Sequence, residues 1–142
     1  MRASDYLIKQ IKLFEGVRLV AYRDSGGVAT IGAGHTHGVK MGRRITMSQV
    51  DALLRGDLLP VQKFINDLNL TLTQNQFDAL CDFAFNLGIE ALRGSTLLKK
   101  IILHASDAEI QTEFKRWVYC KGVKLPGLVK RRTWEADMWT RK

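Results

Sequence analysis

The chain predicts an α+β fold, a small strand-bearing lobe followed by a larger helical one, and three features point to it. Glycines crowd residues 16–38, where short apolar runs flank a Ser25-Gly26-Gly27 turn. From Thr46 onward the pattern changes to repeated helix starts, each followed by an apolar stripe at helical spacing. Only two prolines occur in 142 residues, with no low-complexity run and no repeat, so nothing marks a linker. We therefore expect residues 1–142 to form one domain. Its small lobe should cover about 15–58, and its helical lobe about 60–142 together with the N-terminal helix.

The elements follow in order. Ser4 can cap a helix that carries Leu7, Ile8, Ile11 and Phe14 on one face, and Gly16 can end it. Residues 18–24 and 28–31 read as strands of a hairpin whose five-residue connection sets Asp24 across from Thr30 at its mouth, and 39–45 offers a third, edge strand. Thr46 to Gln49 is a capping box for a helix bearing Val50, Leu53, Leu54 and Leu58, and Pro60 should kink that helix or start another. A second box at Thr73 to Gln76 opens the most apolar helix, closed by Gly88. Ser95 or Thr96 starts a short helix through Leu103. Ser106 to Glu109 opens one carrying Phe114, Trp117 and Val118, and Pro126-Gly127 precedes a last helix over about Leu128 to Trp139.

Composition excludes several classes. Apolar residues at 46% and charged residues at 25% are ordinary for a globular domain and rule out disorder. The net charge of +8 steers the protein toward polyanions. The basic residues are scattered, however, so no nucleic-acid partner is expected. Lys9, Gln10 and Lys12 interrupt the N-terminus, so it offers neither a signal peptide nor a stable membrane anchor. Cys81 and Cys120 form no C-x-x-C pair; Cys81 reads as a buried thiol, and a disulfide is unprompted. His35 and His37 lack further ligands, so we expect no metal and no cofactor. The three tryptophans, at helical spacing, read as core rather than as sugar-stacking platforms.

One stretch, Phe14 to His35, has residues that chemistry could use. Glu15 falls in the last turn of a helix, where the negative end of the dipole disfavours an acid and a purely structural design would place Lys. Cleaving a glycosidic bond takes one carboxylic acid to protonate the leaving oxygen and a second carboxylate to position water or attack the sugar. Glu15 suits the first role, because the helix end and the apolar Leu13, Phe14 and Val17 disfavour its charged form. Asp24, at a polar hairpin mouth, suits the second, and the hydroxyl of Thr30 could hold water. The same residues also suit a solvated helix end and a surface hairpin.

The run Phe14-Glu15-Gly16, Tyr22-Arg23-Asp24 and Thr30-Ile31-Gly32-Ala33-Gly34-His35 resembles the catalytic signature of the phage T4-type lysozymes, the endolysin muramidases of glycoside hydrolase family 24. The likeness rests on a glutamate, eight residues, an aspartate, five residues and a threonine. It continues through Ile45-Thr46, Leu53-Leu54 and Asp57, through Phe85-Asn86-Leu87-Gly88, and through Gly127 to Arg132 with Glu135 and Trp139.

The resemblance implies a two-lobed lysozyme fold and hydrolysis of the β-1,4 bond between N-acetylmuramic acid and N-acetylglucosamine in bacterial peptidoglycan. Glu15 would be the acid, Asp24 and Thr30 would position water, and inversion is expected. It implies too that His35 and Asp57 form a structural pair across the lobes, and that Phe85 and Asn86 line the far wall of a cleft. There Asn86 could bond a sugar acetamide or simply cap its helix. A cofactor-free monomer that waits in the host cytoplasm for a holin to release it onto the wall completes that expectation. Two rivals remain: a lytic transglycosylase, against which Asp24 and Thr30 count, and a non-catalytic cationic wall-binding protein.

Overall fold

The computed structural model describes residues 1–142, which divide into two compact units, Ser4–Pro60 and Val61–Lys142 with Met1–Ala3. The N-terminal helix, expected with the helical lobe, groups with the strands instead, and only residues 1–3 join the helical unit. The amide N–H of Ala3 donates to Gln62 Oε1 at 2.7 Å, and the terminal ammonium donates to Asn66 Oδ1 at 3.0 Å.

In the first unit, helix α1 (Asp5–Glu15) starts where Ser4 Oγ accepts from the Leu7 amide at 3.0 Å, and it stops at Gly16, φ +71°. Leu7, Ile8 and Ile11 are its buried face. Strands β1 (Arg18–Arg23) and β2 (Ala29–Gly32) pair antiparallel, with Tyr22 opposite Thr30 and Arg23 opposite Ala29. Asp24 therefore faces Val28, whose carbonyl accepts from the Asp24 amide at 2.9 Å, and not Thr30 as expected. The five-residue connection is counted from Asp24 to Val28 inclusive, which shifts the pairing by two. Where a third strand was expected there is one bridge, Val20 to Arg44. Positive φ at Gly38 (66°) and Gly42 (93°) bends that segment before a ladder can form.

Helix α2 (Met47–Asp67) opens with Thr46 Oγ1 accepting from the Gln49 amide and Gln49 Oε1 accepting from the Thr46 amide. It continues through Pro60, which neither starts a helix nor ends one. The proline removes one backbone donor, but buried Leu54, Leu58, Val61 and Ile65 carry the apolar stripe across it. At about 0.8 kcal/mol per buried CH₂, that stripe outweighs the roughly 3 kcal/mol of an interior proline.

The second unit holds α3 (Gln74–Leu87), α4 (Ile89–Arg93), α5 (Thr96–Ile102), α6 (Asp107–Lys115) and α7 (Pro126–Thr140). The expected capping box forms at Thr73 with Gln76, and the expected helix start at Ser106 is a capping box with Glu109. Phe83 is the centre of the core, edge-on to Phe114 (5.9 Å between centroids) and to Trp117 (5.4 Å). Trp139 is buried beside Phe114, while Trp117 and Trp134 are half-buried. Helix α6 is shorter than expected and leaves Trp117 and Val118 beyond its end. A hairpin that the sequence did not announce follows, β3 (Tyr119–Cys120) with β4 (Val123–Lys124) around Lys121-Gly122. Cys81 is buried, Cys120 is exposed, and both are free thiols.

Candidate active site

The first unit gathers five of the singled-out residues. Glu15 is the last residue of α1 and half-buried. Its carboxyl lies against the turn Gly32-Ala33-Gly34, which is held by a reciprocal pair of backbone bonds between Ile31 and His35 (2.9 and 3.0 Å). A Cβ at Gly34 would sit 2.5 Å from Glu15 Oε1 and 3.2 Å from its Cδ, and the Gly34 backbone has φ +78°. Only glycine allows the approach. Nothing in the linear sequence signals the contact between Gly34 and Glu15.

Asp24 and Thr30 are tied together through one residue, Val28. Asp24 Oδ1 accepts from the amides of Gly26 (2.9 Å) and Val28 (2.8 Å), while Thr30 Oγ1 donates to the Val28 carbonyl at 2.8 Å. Asp24 is exposed and Thr30 buried. The left-handed Gly27 (φ +81°) lets its own amide reach the Asp24 carbonyl at 2.9 Å, closing the loop. Two amides fix one oxygen of Asp24. The second oxygen is left for solvent. A hydroxyl has one hydrogen and two lone pairs, so Thr30, having given its hydrogen to Val28, has only acceptor capacity left. Beside this loop the Arg18 guanidinium lies 4.4 Å from the centre of the Tyr22 ring.

His35 Nδ1 stands 2.8 Å and 3.0 Å from the two oxygens of Asp57, with the histidine buried and the aspartate partly covered. Both belong to the Ser4–Pro60 unit, so the pair ties the Gly34 turn to α2 and does not cross units. Lys12 of α1 pairs with Asp51 of α2, and Arg55 of α2 with Asp5 of α1 (2.8 Å). These pairs fix the helix that ends in Glu15.

In the second unit Phe85 and Asn86 are half-buried near the end of α3. Asn86 Oδ1 accepts from Arg132 Nη2 at 2.7 Å. Arginine has no acceptor, so the amide orientation is fixed and the NH₂ group is what Asn86 can offer a ligand. Arg132 is fully buried and ion-paired with Glu135 at 2.8 Å, and Arg131 grips Asp82 through two bonds of 3.0 and 2.8 Å. Burial drives the Glu135 carboxyl well above its ordinary range, and the hydrogen bond to Asp82 adds to this. The charges of Arg132 and Arg131 oppose the shift without cancelling it. Asp78 and Asp82, four apart inside an otherwise apolar helix, were the one sequence signal of this network.

A helix-end glutamate set against a glycine turn, and in the same unit an aspartate and a threonine that share a loop, are the residue types that a small two-carboxylate glycosidase uses. Residues 12–135 match the family model described as phage lysozyme. An endolysin of Acyrthosiphon pisum secondary endosymbiont phage 1 is 43% identical over 145 residues, covering 98% of each chain. A SAR-endolysin of Escherichia phage Mu is 41% identical over 127 residues, 88% of this chain and 73% of that protein. The solved muramidase domain of SpmX from Asticaccaulis excentricus superposes with a TM-score of 0.91 at 37% identity, covering 99% of each chain. The chain belongs to the phage lysozyme family, and its fold is the α+β lysozyme fold.

Proposed function

We propose that Glu15 is the general acid of a muramidase and that Asp24 and Thr30 hold the attacking water. The protein is a phage endolysin, a lysozyme-family glycoside hydrolase that lyses bacterial peptidoglycan. In our reading, Glu15 hands its proton to the oxygen leaving at the β-1,4 bond between N-acetylmuramic acid and N-acetylglucosamine. Water on the opposite face gives a proton toward the free oxygen of Asp24, rests a second hydrogen on the Thr30 lone pairs, and attacks with inversion. The observation that carries this is the shared Val28 anchor: it leaves Asp24 and Thr30 with acceptors only, which is what a water about to lose a proton needs.

Glu15→Gln tests the assignment. It should keep the melting temperature and lower the clearing of a cell-wall suspension by at least about a hundredfold. Near-normal clearing would remove Glu15 from the acid role. Mass spectrometry of the released muropeptides separates hydrolysis from the transglycosylase rival, because only the latter leaves an anhydro end.

In the second unit we propose Asn86 as a donor to a substrate oxygen and Phe85 as its apolar neighbour. His35 and Asp57 have a structural role. For delivery, we infer a monomer held in the host cytoplasm until a holin opens the membrane. No helix is long and apolar enough to cross a membrane, and a relative named a SAR-endolysin represents the rival route. Fractionation of cells expressing the chain without a holin should find it in the cytoplasm; recovery from the periplasm would favour the rival.

A further inference from the structure

The longest unbroken exposed run in the chain is Tyr119 to Gly127, the β3–β4 hairpin with its exit. Tyr119 is 62% exposed, Val123 59% and Leu125 38%, so three apolar side chains stand in water with nothing of this chain over them. Around them, residues 114–130 contain Lys115, Arg116, Lys121, Lys124 and Lys130 and no acidic residue at all. Arg116 pairs with Glu113, but none of the four lysines has a carboxylate partner. The hairpin is also preformed. Lys121 and Gly122 both take positive φ (50° and 78°), as a tight two-residue turn requires, and the Leu125 amide closes the base on the Val118 carbonyl at 3.0 Å.

We propose that this hairpin is a docking element for an anionic phospholipid surface, held reversibly against the head groups. Charge complementarity selects an anionic partner. The apolar members decide between a lipid surface and an anionic polymer. Val123 and Leu125 gain nothing from a hydrated polyanion, whereas the boundary of head groups and acyl chains takes aliphatic side chains and a tyrosine ring while lysines reach back to phosphate. A rigid hairpin loses little freedom on docking. The element has no role in bond cleavage. It would keep the enzyme on a membrane leaflet beside the wall it cuts.

The test is co-sedimentation of the full chain with vesicles of phosphatidylglycerol and phosphatidylcholine in equal parts, against vesicles of phosphatidylcholine alone. The wild type should bind the anionic vesicles selectively. K121S/K124S should weaken binding on the order of 25-fold, about fivefold per lysine. V123S/L125S should weaken it as well and abolish what survives at high salt. Both variants should keep the wild-type melting temperature and clear isolated walls at the wild-type rate, which separates this result from failure of the catalytic assignment. Absence of selective binding, binding unchanged in both variants, or loss of wall clearing with vesicle binding intact would each overturn the proposal.

Discussion

Gly34→Ala should separate the position of the acid from the stability of the fold. The new methyl would lie 2.5 Å from Glu15 Oε1, on a backbone with φ +78°. The backbone term is the cost of a left-handed alanine, about 1–2 kcal/mol, equivalent to a melting-temperature loss of roughly 3–6 °C in a chain of this size. The contact term is different in kind. The end of the Glu15 side chain can swing, so relieving the clash costs little stability, but the carboxyl must retreat about 1 Å to reach ordinary contact near 3.5 Å. A catalytic group misplaced by about 1 Å can lose a factor near 100 in rate. Gly38→Ala is the control, with φ +66° and nothing within 4 Å of the added atom. The two variants should therefore melt within a few degrees of each other, while clearing of a wall suspension falls about a hundredfold in Gly34→Ala alone. Equal activity in the two would refute the claim that Gly34 sets the position of the acid.

The remaining predictions concern the helical unit. Burial pushes the Cys81 thiol upward, and the charges of Asp78 and Asp82 add to this, so a native-state titration with a thiol reagent should modify Cys120 rapidly and Cys81 only on unfolding. Cys120→Ser should abolish the fast phase. The hydrogen bond from Lys100 holds the Glu113 carboxyl below the usual range, Arg116 assists, and burial opposes. A lowered folded value means stability that is present above pH 4.5, the unfolded value, and lost as pH falls through the folded one. The melting-temperature gap between wild type and Glu113→Gln should therefore close as pH drops from 6 toward 3. A constant gap would show that Glu113 contributes by packing alone. Asn86→Asp keeps an acceptor for Arg132 but replaces the offered donor, so KM should rise about tenfold with kcat nearly unchanged, the equivalent of one lost hydrogen bond.

Local chemistry made most of the fold legible. Ser4, Thr73 and Ser106 each have a hydroxyl that accepts from an amide three residues on, and Gly16 and Gly88 take the positive φ that ends a helix. At Pro60 the expectation of a new helix gives way to a continuous one, because the apolar stripe from Leu54 to Ile65 passes through the proline. The β3–β4 hairpin was invisible because two-residue strands have no periodicity to detect, and its turn uses Lys121 where asparagine or glycine would have signalled one. At the site, the sequence singles out Glu15, Asp24 and Thr30 as candidates but does not show their wiring. Nothing in the order of residues says that Asp24 and Thr30 meet at Val28, or that Gly34 abuts Glu15.

The buried charges of the helical unit fit the same logic of fixing where polar groups point. Arg131, Arg132, Asp82 and Glu135 are almost wholly withdrawn from water, and well-packed apolar residues of similar volume would serve stability at least as well. What apolar residues cannot do is orient an amide. Arg132 reaches Asn86 with one nitrogen and is itself held by Glu135, which lies one helical turn further along α7. Removing either partner would strand a buried charge at a cost of about 3–5 kcal/mol, so the set persists together or not at all. The two units thus share a design: a residue we propose for the substrate is oriented by a neighbour, Val28 and Gly34 in one unit and Arg132 in the other.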